Sequence, residues 1–292
     1  MKKIIAFGLL GMAAFQTSAL SAAALASQDN DRFANTEVIA TPIAGSVYML
    51  VGAGGNIGVS AGTDGVLMID DQFAGLAEKI TKTISGLSDQ APRYVINTHY
   101  HGDHTGSNAF FKENKGSTIF AHENVRIRLA SDDKVSKAAL PVVTYQDGIK
   151  FHLNDETIHV FHLSNAHTDG DSVVWFEEPD VLHTGDLFFK DMFPYIDVGA
   201  GGSVPGYIAS VETLLAKIDD DTKVIPGHGA LANKADYQRF VDMIKETYAF
   251  VQAKKMAGMS EDDVLAAGLD ENWKSWSWAF INEERWIKTL YQ

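Results

Sequence analysis

The sequence predicts an α/β or α+β fold, on three observations. Short apolar runs bounded by glycine alternate with stretches of helical spacing along most of the 292 residues. Hydrophobic residues make up 46% of the chain and there are only 7 prolines, so it can bury a full core and disorder is not the default state. No internal repeat, low-complexity linker or block of like charge divides it, which favours one large domain over two small ones.

The chain opens with Met1, Lys2 and Lys3, then an uncharged stretch over 4–27 rich in Leu, Ala and Phe. It closes on Ala24-Leu25-Ala26, with small residues at both cleavage positions. This is the pattern of a secretory signal peptide over 1–26, cleaved after Ala26. It predicts a mature domain over 27–292 that is exported across the inner membrane to the periplasm. The run is long enough to span a bilayer, but its second half, 16–27, is mostly Ala and Ser, which favours cleavage over a lasting anchor.

Beyond a polar lead-in, 46–51, 56–60 and 66–69 read as the strands of a meander. A helix follows over 76–87, with Ile80 and Ile84 on one face, and 94–98 reads as a buried strand. The runs 117–121, 157–163, 172–176, 181–183 and 223–225 are strand-like, while 206–218 and 237–255 have helical spacing. The tail over 272–292 carries Trp273, Trp276, Trp278 and Trp286, four of the five tryptophans, and is expected to form a helical face packed on the core.

Charge and cysteine content narrow the function. The net charge is −14, and loss of Lys2 and Lys3 with a leader takes it to −16. Such a surface repels a phosphate backbone, so nucleic acid is excluded as a partner and a small-molecule substrate is expected. With no cysteine, the chain has neither disulfides nor thiolate ligands nor a thiol nucleophile. Any metal site must be built from His, Asp and Glu.

His99, His101, Asp103 and His104 place four potential ligands within six positions, directly after a strand. In an extended segment His99 and His101 project to one side and can share a cation, while Asp103 and His104 lie close enough to hold a second. His167, Asp186 and His228 each follow a separate strand-like run. Residues at strand exits converge on one edge of a sheet, as a metal site requires.

The pattern H-x-H-x-D-H at 99–104, then His167, then Thr184-Gly185-Asp186, then Gly227-His228-Gly229, resembles the metallo-β-lactamase superfamily over roughly 47–229. The resemblance implies a four-layer αβ/βα sandwich with two metal ions at one edge. It implies that His99, His101 and His167 hold the first ion, that Asp103, His104 and His228 hold the second, and that Asp186 bridges them. In the commonest β-lactamase subclass a cysteine stands where this chain has Asp186 and an arginine where it has His104. The all-His/Asp set is more similar to the glyoxalase II, lactonase and ribonuclease Z branches, whereas the leader is more similar to that of exported β-lactamases.

The reaction implied is hydrolysis of a β-lactam-like amide, lactone or ester at a dinuclear zinc centre, by attack of a metal-bound hydroxide, with Asp103 as the catalytic residue that orients the nucleophile or shuttles its proton. Oxygen and nitrogen ligands also suit iron or manganese. The alternatives are an iron-dependent oxidoreductase of the same fold, a glyoxalase II-like thioesterase, and a non-catalytic metal-binding protein.

Phe73, Phe188, Phe189, Phe193 and Tyr195 crowd the segments around Asp186 and Asp70-Asp71; about half are expected in the core and the others, with Phe73 and Phe188 as candidates, in an apolar substrate wall. Lys190 is a candidate for a substrate carboxylate, against the simpler reading of a surface lysine. His183 is expected to be buried and hydrogen-bonded, and His122, His152, His159 and His162 carry no assigned chemistry. Oligomeric state is not legible.

Overall fold

The computed structural model describes residues 32–292. The expected signal peptide lies outside the described residues. No helix among the described residues is long and apolar enough to cross a membrane.

Two sheets carry the fold. The first runs in sequence order, β1 (Ile39–Ala44), β2 (Val47–Val51), β3 (Ile57–Gly62), β4 (Gly65–Ile69), β5 (Pro92–Asn97), β6 (Thr118–His122) and β7 (Val143–Tyr145). Its first four strands form an antiparallel meander, and β4 to β7 are parallel. The second sheet has the order β13 (Ala232–Asn233), β12 (Lys223–Ile225), β11 (Val181–His183), β10 (Ser172–Phe176), β9 (Glu156–His162) and β8 (Gly148–Leu153).

Strand β4 shows why the sheets stack. Every residue of Gly-Val-Leu-Met-Ile is buried because both faces are covered. Leu67 and Ile69 join Val174, Phe176 and Ile225 of the second sheet in a core between the sheets. Val66 and Met68 point the other way, onto Ile80 and Ile84 of the helix Ala77–Ser85. On the far side the second sheet is covered by the helices Val204–Leu215, Lys234–Met256 and Glu283–Tyr291, packed around Tyr207, Phe240 and Trp286. The order helix, sheet, sheet, helix is the four-layer sandwich that the resemblance implies.

The expected elements appear with shifts of a few residues, and four strands are additional. β1 contains Pro42, and β8 alternates exposed and half-buried positions around Lys150. The tail departs most from expectation: instead of one helical face, Glu271–Lys274 and Glu283–Tyr291 flank an irregular stretch that carries Trp276 and Trp278. The cause is tertiary bonding. The amide of Phe193 donates to Trp276 O at 2.9 Å, the indole Nε1 of Trp278 donates to Phe193 O at 2.9 Å, and Asn282 caps a fresh helix start at Arg285 N.

The two sheets are pinned together at one end. Asn56, which precedes β3, donates its amide to Gly227 O and its side chain to Pro226 O and Gly229 O, while His183 at the end of β11 bonds Asn56 O through Nε2 at 3.0 Å. His183 is fully buried, as expected.

Candidate metal centre

Four strand exits meet at the pinned end. His99 and His101 follow β5, Asp103 and His104 lie in the short helix Gly102–Thr105, His167 lies in the loop between β9 and β10, Asp186 in the turn Gly185–Leu187 after β11, and His228 just past β12. The structure brings all seven together. His99, His101, His167 and Asp186 form one group and Asp103, His104 and His228 another, and within each group one ligating atom per residue lies within 4.8 Å of the others.

Asp186 faces both groups. Its Oδ2 lies 3.7 Å from His99 Nε2 and 3.5 Å from His167 Nε2, and its Oδ1 lies 3.1 Å from His104 Nε2 and 3.3 Å from His228 Nε2. Asp103 Oδ2 sits 3.4 Å from His228 Nε2. Gly227 keeps this position open, since a Cβ there would run into Asp186 Oδ1 and Gly185 O.

The hydrogen bonds around the rings assign their protons. His167 Nδ1 faces Tyr195 O at 2.8 Å, and a carbonyl only accepts, so the proton is on Nδ1 and Nε2 is bare. His101 Nε2 donates to Asp197 Oδ2 at 3.0 Å, which turns Nδ1 toward the cluster. Thr98 Oγ1 gives its proton to Asp70 Oδ2 at 2.7 Å and so accepts from His99 Nδ1 at 3.0 Å. His104 Nδ1 donates to Asp70 Oδ2 at 2.7 Å. The rings of His167 and His99 therefore turn lone pairs inward, and His167 Nε2 stands within hydrogen-bonding reach of His101 Nδ1 at 2.9 Å.

The fit to metal rests on these atoms. His99 Nε2, His104 Nε2 and Asp186 Oδ1 are buried and lack a hydrogen-bond partner, a costly arrangement that a cation would relieve. The donor set of imidazole nitrogens and carboxylate oxygens suits zinc, iron or manganese. Burial brings the His167 pKa down to about 3 and holds that of His99 well below the histidine range, so both rings are neutral, as ligation requires. Burial works against a charge on His104 too, but Asp186, Asp103 and Asp70 outweigh it and raise its pKa. Burial likewise opposes ionisation of Asp186, and His104, His228 and His99 reverse this, holding its pKa well below the carboxylate range.

Over the two groups lies a cleft of about 650 Å³, lined by Asp103, Asp186, His101 and His228 with the rings of Phe73, Tyr100, Phe189, Tyr195, Trp278 and Phe280. Of the substrate candidates, Phe73 lines it and Phe188 does not. Successive residues of an extended segment point to opposite sides, so Phe189 faces the cleft while Phe188 is fully buried, stacked on Tyr237 at 4.6 Å. Phe193 is also buried. Lys190 turns away to bond Asp236 Oδ2 at 2.8 Å and Leu231 O at 3.0 Å. Arg32 is the one arginine or lysine among the described residues lining the cleft.

The metallo-beta-lactamase superfamily model matches residues 40–228. The chain belongs to the metallo-beta-lactamase superfamily. It is 31% identical over 139 residues to a hydroxyacylglutathione hydrolase of Methylococcus capsulatus, 46% of this chain and 47% of that protein. It is 28% identical over 134 residues to the metallo-beta-lactamase IND-1 of Chryseobacterium indologenes, 46% and 54% of the two chains. The chain spans about half the length of these relatives. A metallo-beta-lactamase from Pontibacter korlensis superposes with a TM-score of 0.62 at 17% identity, covering 72% of this chain and 99% of that one, a likeness of fold.

Several residues of this site lie outside the seven that the sequence singles out. Asp70 has a signal, an acid ending the apolar run of β4. It takes a left-handed φ of +63°, accessible to Asp, and accepts from the amide and hydroxyl of Thr98 at 2.7 Å each. Tyr100 donates to Asp197 Oδ2 at 2.6 Å, and nothing in the sequence marks that contact across 97 positions. Trp278 and Phe280 reach the cleft from beyond the matched segment.

Proposed function

We propose that the chain is a dinuclear zinc hydrolase that opens a β-lactam-like amide, a lactone or an ester. The observation that carries this reading is the two-faced Asp186 carboxylate set among inward-turned histidine nitrogens. In this reading His99, His101 and His167 would hold one ion, Asp103, His104 and His228 would hold the other, and Asp186, whose carboxylate faces both groups, would serve the two. A pair of divalent cations, once bound, supplies a water of lowered pKa and polarises the carbonyl that it attacks.

The residues supply position and proton handling. Asp197 and Asp70 hold the ring tautomers, so the ligating nitrogens need no reorganisation. Asp103 is a quarter exposed and lines the cleft, placed to accept the proton of the attacking water and return it to the leaving group. The rings of the cleft displace bulk water from around the acyl group. The leader pattern in the sequence supports a periplasmic location.

The test is turnover of a chromogenic cephalosporin, a lactone panel and an S-acyl thioester by the zinc-loaded protein, with His101→Ala as control. Amide or lactone hydrolysis that falls at least about a hundredfold in the variant supports the proposal. A thioesterase is the second reading, favoured by the similarity to hydroxyacylglutathione hydrolases, and a preference for the thioester would select it. Iron in the isolated protein with no hydrolysis of any of the three would refute both and favour an oxidoreductase.

A further inference from the structure

The tail beyond residue 228 puts two rings into the cleft, and they close a chain of aromatic contacts between the two metal-ligating groups. The ring of His228 lies 6.1 Å from Trp278, Trp278 lies 5.6 Å from Phe280, Phe280 lies 5.4 Å from Tyr195, and Tyr195 lies 5.6 Å from His101. All five side chains line the same cleft as Phe73.

Two features distinguish this wall from ordinary core packing. Phe280 is 46% exposed, a large apolar side chain left facing solvent. The Trp278 indole N–H is already spent on Phe193 O, so the ring offers the cleft an apolar surface with no donor to satisfy. Arg285 stacks its guanidinium on Phe280 at 4.2 Å and on Tyr195 at 5.5 Å and donates to Phe280 O, which fixes this corner without entering the cleft lining.

We propose that Trp278 and Phe280 form an acyl-group subsite that selects substrates bearing an aromatic or other flat apolar group beside the scissile carbonyl. The assignment rests on the hydrolase reading, whereas the subsite itself is a binding property of the folded chain. Burying one phenyl group against such a wall strengthens binding by about tenfold or more.

The test is calorimetric binding of 3-phenylpropanoate and of propanoate to the zinc-loaded full-length protein, in the wild type, Trp278→Ala and Phe280→Ala. The expected result is a preference of about tenfold for the phenyl compound that shrinks to about threefold or less in either variant. The exposed Phe280 provides the variant least able to disturb folding. Equal affinity for the two carboxylates, absence of binding by both, or a preference that survives both substitutions would overturn the proposal. Because no turnover is involved, a phenyl preference in a protein that hydrolyses nothing would uphold the subsite and refute the hydrolase reading alone.

Discussion

Oδ2 of Asp70 lies 2.7 Å from Nδ1 of His104, and both groups are fully buried. The same oxygen takes the hydroxyl proton of Thr98, which in turn accepts from His99. One carboxylate thus orients a ring in each of the two candidate metal-binding groups. Asp70→Asn should weaken metal binding by about 10- to 100-fold, because an amide brings its own hydrogens to a position where only an acceptor fits. Competition with a chromophoric chelator measures this, with circular dichroism showing that the fold is kept.

Asp197 plays the corresponding part for His101. It accepts from His101 Nε2 and Tyr100 Oη, and those bonds hold its carboxyl well below the usual carboxylate range despite the opposing effect of burial. Asp197→Ala should lower metal affinity by about tenfold or more, whereas Tyr100→Phe removes one donor, keeps the carboxylate and should have a smaller effect. Equal effects of the two variants in the same chelator assay would mean that Asp197 acts on Tyr100 rather than on His101.

Phe188 separates packing from function. It is fully buried between Tyr237 and Phe240, so Phe188→Ala should destabilise the protein by about 3–5 kcal/mol in urea denaturation. KM should stay close to the wild-type value, since the ring does not line the cleft. A raised KM without lost stability would restore Phe188 to the substrate wall.

A stacked pair, His122 and His162, predicts acid sensitivity. The rings lie 3.8 Å apart at 11°. Burial lowers both pKa values, and the charge of His162 lowers that of His122 further. A depressed folded-state pKa means that the stabilisation is present above the ordinary histidine value and is lost as pH falls through the folded pKa. The urea midpoint should therefore drop between about pH 7 and pH 5, and His162→Gln should show a smaller drop. An identical drop in the variant would assign the acid sensitivity to other groups.

Local signals carried much of the fold. Strands β4, β10 and β11 are largely apolar runs because they are covered on both faces, and such runs stand out. β1 and β8 were hidden because one contains Pro42 and the other alternates with Lys150 and His152 at a half-solvated edge. At the site, four of the seven His and Asp residues were visible because they crowd six positions, and the other three because each follows a separate strand-like run. Asp197 and Tyr100 were not, since their roles exist only once the two loops meet. The tail misled for a related reason: its tryptophans have helix-compatible spacing, but the bonds between Phe193 and the 276–278 segment override it.

Elemental analysis of the purified protein, beside an Asp186→Ala variant, tests the central claim most directly. About two divalent ions per chain, chiefly zinc, are expected in the wild type, and about one or none in the variant, because the Asp186 carboxylate faces both groups. A wild-type chain that holds no metal after exposure to zinc, or a variant that keeps both ions, would contradict it.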